Sequence, residues 1–319
     1  MTERRAVRPF TFLASFQGVV DGPGLAEMAR RAESIGYAAL LIPDHLIPML
    51  SPVPAMATIA AVTTRLRVGT FVFNNDLRHP AVLAQDLASL DVLSGGRLDI
   101  AMGAGWRKQE YDAIGLPFDD GPTRVCRLAE SIAVLEGCFA DGPFSFAGEH
   151  YTITDYDAEP KPVQRPHPPL MIGGGGRRIL SLAGRVADVV GLAPRTIGTE
   201  RVDPRSITLA ATAEKIGWAR EAAGARADDL VFNMYPSGGP VVVTDDPLAA
   251  ARTRRDELRE RSGIELSVEE VLESPHTYIG SIEGFVDKFT MLRERLGISS
   301  FMLGDIDELA PVVERLAGT

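Results

Sequence analysis

The sequence predicts a single (β/α)₈ barrel of the TIM-barrel class across residues 1–319. Three observations point there. Short apolar runs alternate with longer helical patterns; eight such runs can be counted; and glycine, acidic, amide and aromatic residues gather just behind them. The runs are Phe10–Phe16, Ala38–Ile42, Arg67–Phe73, Leu98–Met102, Pro169–Ile172, Asp188–Leu192, Leu230–Met234 and Ser300–Leu303. They are apolar on consecutive positions, as parallel strands covered on both faces must be.

Taken in order, the first run precedes a helical stripe of Leu25, Met28, Ala29, Ala32 and Ile35, with Gly36 where that helix should stop. The third precedes Val82, Leu83, Leu87, Leu90 and Leu93, and the fourth precedes Leu128, Ile132, Leu135 and Phe139. Phe285, Phe289, Leu292 and Leu296, closed by Gly297, form the stripe before the last run. Strand alternating with helix builds parallel βαβ units, and eight of them favour closure over an open sheet. Two insertions interrupt the alternation: residues 140–168 after the fourth helix, and residues 235–280 after strand seven, with a charged helix over Asp246–Ser262. Excursions of that length are expected to serve as lids or binding loops.

Composition narrows the function classes. Apolar residues make up 45% and charged residues 24%, enough for a sizeable core. The net charge of −10, with no dense basic stripe, argues against nucleic-acid binding. No run of about 20 apolar residues appears, and the N-terminus lacks a signal-peptide pattern, so a cytoplasmic protein is expected. Cys126 and Cys138 lie twelve positions apart on one expected helix. That is about 18 Å of axis, too far for a disulfide, and both read as small core residues. No His, Asp and Glu trio has metal-ligand spacing, and no Gly-x-Ser-x-Gly elbow supports serine hydrolysis.

Chemistry in such barrels sits at the C-terminal ends of the strands. Phe16 and Gln17 follow the first run, Asp44 and His45 the second, and Asn74 the third. The fourth ends in Gly103-Ala104-Gly105-Trp106, and the fifth in Gly173-Gly174-Gly175-Gly176-Arg177-Arg178. Four glycines between a strand and a helix let backbone N–H groups approach a phosphate at the positive end of the helix dipole, and the two arginines add charge. Their spacing differs from a dinucleotide fingerprint. His45 is the candidate acid–base group, with Asp44 beside it to bias its charge; Asp44 fits a helix N-cap equally well. Trp106 is placed to wall a planar ring or to pack the rim. Glu110 and Tyr111 read as loop-fixing residues, His79 as structural, and His150, His167 and His276 as loop residues without a visible partner.

Several segments together resemble the luciferase-like monooxygenase superfamily, and within it the coenzyme F420-dependent group. They are Leu66–Asn75, Arg78–Asp86, Leu90–Arg97, Gly103–Trp106 and Pro160–Gln164. The resemblance implies a deazaflavin or flavin ring held against a bulge after the third strand, with a non-prolyl cis peptide at Phe71–Val72 and Thr70 beside it. It implies that Asp44 and His45 border the ring, with Gly103, Gly105 and Trp106 near it. The turn from Gly173 to Arg178 would receive the cofactor phosphate. Phe16, Gln17, Asn74 and Trp106 would line the substrate pocket. The expected activity is hydride transfer between F420 and a small organic substrate. FMN with O₂, as in a monooxygenase, is the alternative, and a non-catalytic cofactor-binding barrel is a third reading. A homodimer and a separate reductase or dehydrogenase that regenerates the reduced cofactor are expected partners. Sugar-phosphate dehydrogenases of the group carry a catalytic Glu directly after the fourth-strand glycines, where this chain has Trp106.

Overall fold

A computed structural model describes residues 8–197 and 201–319. Eight parallel strands form the barrel: β1 (Thr11–Ser15), β2 (Ala39–Ile42), β3 (Arg67–Thr70), β4 (Leu98–Gly103), β5 (Leu170–Gly174), β6 (Val189–Leu192), β7 (Val231–Met234) and β8 (Ile298–Gly304). Their hydrogen-bonded order is β3-β2-β1-β8-β7-β6-β5-β4, and pairing of Val68 and Gly69 in β3 with Leu98 and Asp99 in β4 closes the ring. The expected barrel is therefore present.

Helices surround it: α1 (Gly22–Ile35), α2 (Pro52–Val62), α3 (Pro80–Ser94), α4 (Lys108–Ile114), α5 (Gly121–Phe139), α6 (Arg177–Val186), α7 (Leu209–Ala223), α8 (Pro247–Ser262), α9 (Val268–Glu273), α10 (Ile282–Leu296) and α11 (Ala310–Leu316). Asp21, Asp120, Thr208, Asp246 and Ser281 cap helix N-termini through their side chains. Gly36 and Gly297 end α1 and α10 in the left-handed region, at φ 103° and 72°, where a Cβ is disfavoured.

Strand residues alternate between two cores, as a period of two requires. Phe12, Leu40, Val68, Ile100, Phe232 and Phe301 face the helices in the main core. Leu13, Ala39, Leu41 and Met302 form a separate inner layer, joined by Phe71 and Tyr235 from beyond the strand ends. Below that layer Arg67 at the start of β3 pairs with Asp99 of β4 at 2.7 Å and donates to Gln164 at 3.0 Å, closing the base of the barrel with a polar plug.

Some expectations are corrected. The third run is not one strand: β3 stops at Thr70, the Phe71–Val72 peptide is cis, and Phe73–Asn74 resumes as a short strand against Met102 and Gly103. On α3, Val82 and Leu93 are exposed, whereas Leu83, Leu87, Leu90 and also Asp91 and Ser94 are buried. Asp91 accepts from Gln164, so the helix turns a partly polar face inward that an apolar count misses. Both cysteines are unpaired, but Cys126 is exposed and only Cys138 is in the core. Among the described residues no helix is long and apolar enough to cross a membrane.

The two insertions differ. Residues 140–168 join α5 to β5, and their Tyr151 reaches residues just after β3, its hydroxyl 3.5 Å from Asn75 Nδ2 and its ring edge-on to His79. Their hairpin, Phe144–Ala147 with Thr152–Tyr156, lies along α5, where Glu130 accepts from the backbone N–H groups of Glu149, His150 and Tyr151. Lys161 and Arg165 then donate to carbonyls at the end of α5. Residues 235–280 do leave from a C-terminal strand end. They carry α8, α9 and a small core of Ala251, Leu258, Leu266, Val271 and Ile279 with Ile207.

Candidate active site

Because all eight strands are parallel, the segments after β2, β3, β4, β5 and β7 share one end of the barrel. Direct contacts join them. A Cβ placed on Gly103 would lie 2.6 Å from Val72 Cγ2, and one on Gly173 would lie 3.5 Å from Val72 Cγ1. Val72 thus bridges the ends of β4 and β5. Across the mouth, the His45 ring stands edge-on to Trp106 with centroids 5.8 Å apart.

The strongest polar contact at His45 is with Glu110. His45 Nδ1 lies 2.9 Å from Oε1 and 3.2 Å from Oε2, and Glu110 is 4% exposed. Glu110 sits in the first turn of α4, which the glycines after β4 allow to fold back toward β2. Arg107 adds a longer contact to the same carboxylate at 3.4 Å. A carboxylate on Nδ1 selects the tautomer with the proton there and leaves Nε2 to exchange a proton with a ligand. Glu110 therefore fixes His45, a partner that its reading as a loop-fixing residue does not anticipate.

Asp44 has another task. It accepts from Arg78 at 2.6 and 3.1 Å and from the backbone N–H of Asn74 at 3.0 Å. It neither caps a helix nor meets His45; it pins the backbone just after the cis peptide. Asn74 is likewise engaged, with Oδ1 accepting from Tyr111 Oη at 2.9 Å, and that hydroxyl also reaches Asp76 at 3.0 Å. Burial pushes the Tyr111 phenol pKa up, so it remains a donor in this network. Gly105 is required because a Cβ there would fall 1.9 Å from Tyr111 Oη, at φ 73°. Arg124 of α5 donates to the carbonyls of Ala104 and Gly105 and stacks over Phe118, fixing the loop from outside.

The glycine turn divides its labour by residue. Gly173 and Gly174 complete β5. A Cβ on Gly175 would meet the Pro194 carbonyl oxygen at 2.2 Å, so this glycine serves backbone packing against the segment after β6. A Cβ on Gly176 would meet nothing within 4 Å, and no side chain caps the helix it starts. The first N–H groups of α6 have no intrahelical acceptor. Arg177 pairs at the surface with Glu221 of α7 at 2.9 Å, while Arg178 sits near Asp120 at the start of α5.

The remaining candidates are placed as follows. Phe16 packs beside the main core, Gln17 is exposed, and Trp106 is 49% exposed at the rim. Thr70 is fully buried and donates to the Ala101 carbonyl inside the wall, so its hydroxyl offers nothing to the mouth. After β7, Tyr235 packs edge-on to Phe71 with centroids 5.1 Å apart. Two residues on, Ser237 Oγ lies 2.6 Å from Nδ1 of His276, a histidine read from sequence as partnerless. Among the described residues no group of His, Cys, Asp and Glu is arranged to hold a metal ion.

A family model described as luciferase-like monooxygenase matches residues 14–299. The chain belongs to this family. One similar protein is an F420-dependent glucose-6-phosphate dehydrogenase of Beutenbergia cavernae, 34% identical over 168 residues, which are 49% of this chain and 48% of the relative. Another is an FMNH(2)-dependent dimethylsulfone monooxygenase of Pseudomonas putida, 41% identical over 109 residues, 34% of this chain and 30% of the relative. The chain thus spans a third to a half of these curated relatives. The fold is similar to the coenzyme F420-dependent tetrahydromethanopterin reductase of Methanopyrus kandleri, with TM-score 0.75 and 20% identity over 97% of this chain and 98% of that one.

Proposed function

We propose that this protein is an F420-dependent oxidoreductase acting on a small organic substrate. The observation that carries it is the sharing of one barrel mouth by two features: a carboxylate-held histidine, and an uncapped helix start behind a glycine with open space where a Cβ would be. The residues present fit such a group. The N–H groups that begin α6, with Arg178, would take the phosphate. Val72, between Gly103 and Gly173, would back the ring. A bound deazaflavin supplies a carbon that carries hydride but reacts poorly with oxygen.

The chain's own residues do the rest. Glu110 holds Nδ1 of His45, so Nε2 is the atom that gives or takes the substrate proton. The inner layer of Leu13, Leu41, Phe71, Met302 and Tyr235 offers a dry surface for an apolar substrate. Half-chain similarity to several F420-dependent dehydrogenases supports the cofactor. Use of FMN is the second reading, favoured by the 41% identical stretch shared with the FMNH(2)-dependent relative. The bond between His45 and Glu110 favours catalysis over a cofactor carrier, which would not need an oriented proton donor.

The test is titration of the protein with oxidised F420, followed by quenching of its fluorescence, beside FMN. The expected result is saturable quenching by F420 and weaker binding of FMN. FMN bound in preference to F420 would establish the second reading. We extend the proposal to a homodimer that covers Val82 and Leu93, exposed about three turns apart on α3. Light scattering should then show a dimer that Leu93→Asp dissociates; a monomeric wild type would refute it.

A further inference from the structure

The segment after β7, three strands round the barrel from β2, carries a second polar pair. His276 is fully buried and its Nδ1 lies 2.6 Å from Ser237 Oγ. Its Nε2 finds no hydrogen-bond partner among the described residues. The backbone fixes the ring from both sides: Gly238 N–H donates to the His276 carbonyl at 2.8 Å, and Ser274 Oγ accepts from the His276 N–H at 3.1 Å. Ser237, by contrast, is only half-buried. Its backbone N–H donates to the carbonyl of Tyr235 at 2.8 Å, and the Tyr235 ring is packed on Phe71. A polar chain thus runs from a buried imidazole to a hydroxyl at the edge of the inner apolar layer.

Burying an imidazole with one unpaired nitrogen costs free energy that a structural serine partner does not require. The groups around His276 hold it neutral: burial acts first, and Lys215 of α7 and Lys288 of α10 add positive charge nearby. Neither lysine can serve the mouth directly, since Lys215 donates to the carbonyls of Ala193 and Ser206, and Lys288 to those of Leu272 and Thr277. What is left to meet a ligand is one uncharged hydroxyl, held by His276 and tied through the backbone to Tyr235, which joins the inner layer of Ala39, Leu41 and Met302.

We propose that Ser237, held by His276, anchors the single oxygen of an uncharged and largely apolar ketone or alcohol that lies on this inner layer. In that arrangement Ser237 touches the substrate and His276 is a positioning residue. The inference rests on the oxidoreductase reading for what happens next, but not for binding itself. It assigns a substrate class that the glycine turn and His45 leave open.

Saturation-transfer NMR on the cofactor-free protein, with cyclohexanone at millimolar concentration as the probe, tests the anchor without turnover. The wild type should transfer saturation to the ketone. Ser237→Ala should weaken its binding on the order of tenfold, the loss of one hydrogen bond, while Ser237→Thr keeps it. Cyclohexanecarboxylate should bind less well than cyclohexanone. The ¹⁵N imidazole signals of His276 should report one neutral tautomer and move when the ketone is added. No transfer to cyclohexanone, equal binding by Ser237→Ala, a preference for the carboxylate, or His276 signals that ignore the ketone would each overturn the proposal. A Ser237-dependent ketone site in a protein that binds neither F420 nor FMN would leave the anchor standing and remove the oxidoreductase reading instead.

Discussion

Removing the carboxylate of Glu110 perturbs the proposed proton donor and little else. Both oxygens lie within 3.2 Å of His45 Nδ1, and the side chain is 4% exposed, so solvent does little to screen the contact. A hydrogen bond to a charged group contributes about 1.5–3 kcal/mol. If that bond orients the ring for proton transfer, its loss in Glu110→Ala should lower kcat by roughly 10- to 150-fold. Glu110→Gln keeps a neutral acceptor at the same place, and its loss should be nearer 2- to 10-fold. Stability should change little, because the other partner, Arg107, is 32% exposed and can be hydrated once alone. The assay is steady-state turnover with F420 at saturation, beside a fluorescence titration and thermal melts of each variant. Cofactor affinity and melting temperature should stay close to wild type. A Glu110→Ala enzyme with wild-type kcat would refute the claim that this carboxylate orients His45.

Other expectations follow from the same geometry. His45→Ala should lower turnover far more than it weakens cofactor binding; equal kcat under saturating F420 would remove His45 from the mechanism. Gly176→Val should weaken F420 binding while the protein melts normally, since the added atoms enter open space. Gly175→Ala should instead lower the melting temperature, because its methyl meets the Pro194 carbonyl; the opposite pattern would misassign the two glycines. Lys215 and Lys288 are pushed down by burial to about 7 from an ordinary value of 10.5. Between those limits the unfolded chain binds more protons than the folded one, so stability should rise with pH, by up to about 1.4 kcal/mol per unit for each lysine. Denaturant titrations from neutral to mildly alkaline pH check this, and a slope unchanged in Lys215→Met would count against it.

The barrel was legible because buried parallel strands announce themselves as consecutive apolar residues, and Gly36 and Gly297 mark helix ends by their backbone freedom alone. The break at Phe71–Val72 leaves no trace in hydrophobicity, since Arg67–Phe73 reads as one run; only the family resemblance located it. The contact of Glu110 with His45 is not legible in the sequence, because the two are 65 residues apart and nothing local distinguishes Glu110 from a helix-start glutamate. Its position just past β4 was the available signal, once strand ends are taken to converge. Asp44 shows the converse error: adjacency in sequence suggested a partner for His45, whereas neighbouring side chains after a strand point different ways. His276 lay inside an excursion with no regular pattern, and its bond to Ser237 spans 39 residues. The hairpin within 140–168 leaves little local signal, because its anchor Glu130 lies on the preceding helix and its Tyr151 meets Asn75 and His79 far back in the chain.

Diffraction from crystals soaked with F420 addresses the central assignment most directly. The tricyclic ring should lie at the barrel mouth against Val72, with His45 Nε2 on the ring's open side and the phosphate on the N–H groups that begin α6. Density for the phosphate at any other strand end, or a ring lying out of reach of His45, would contradict it.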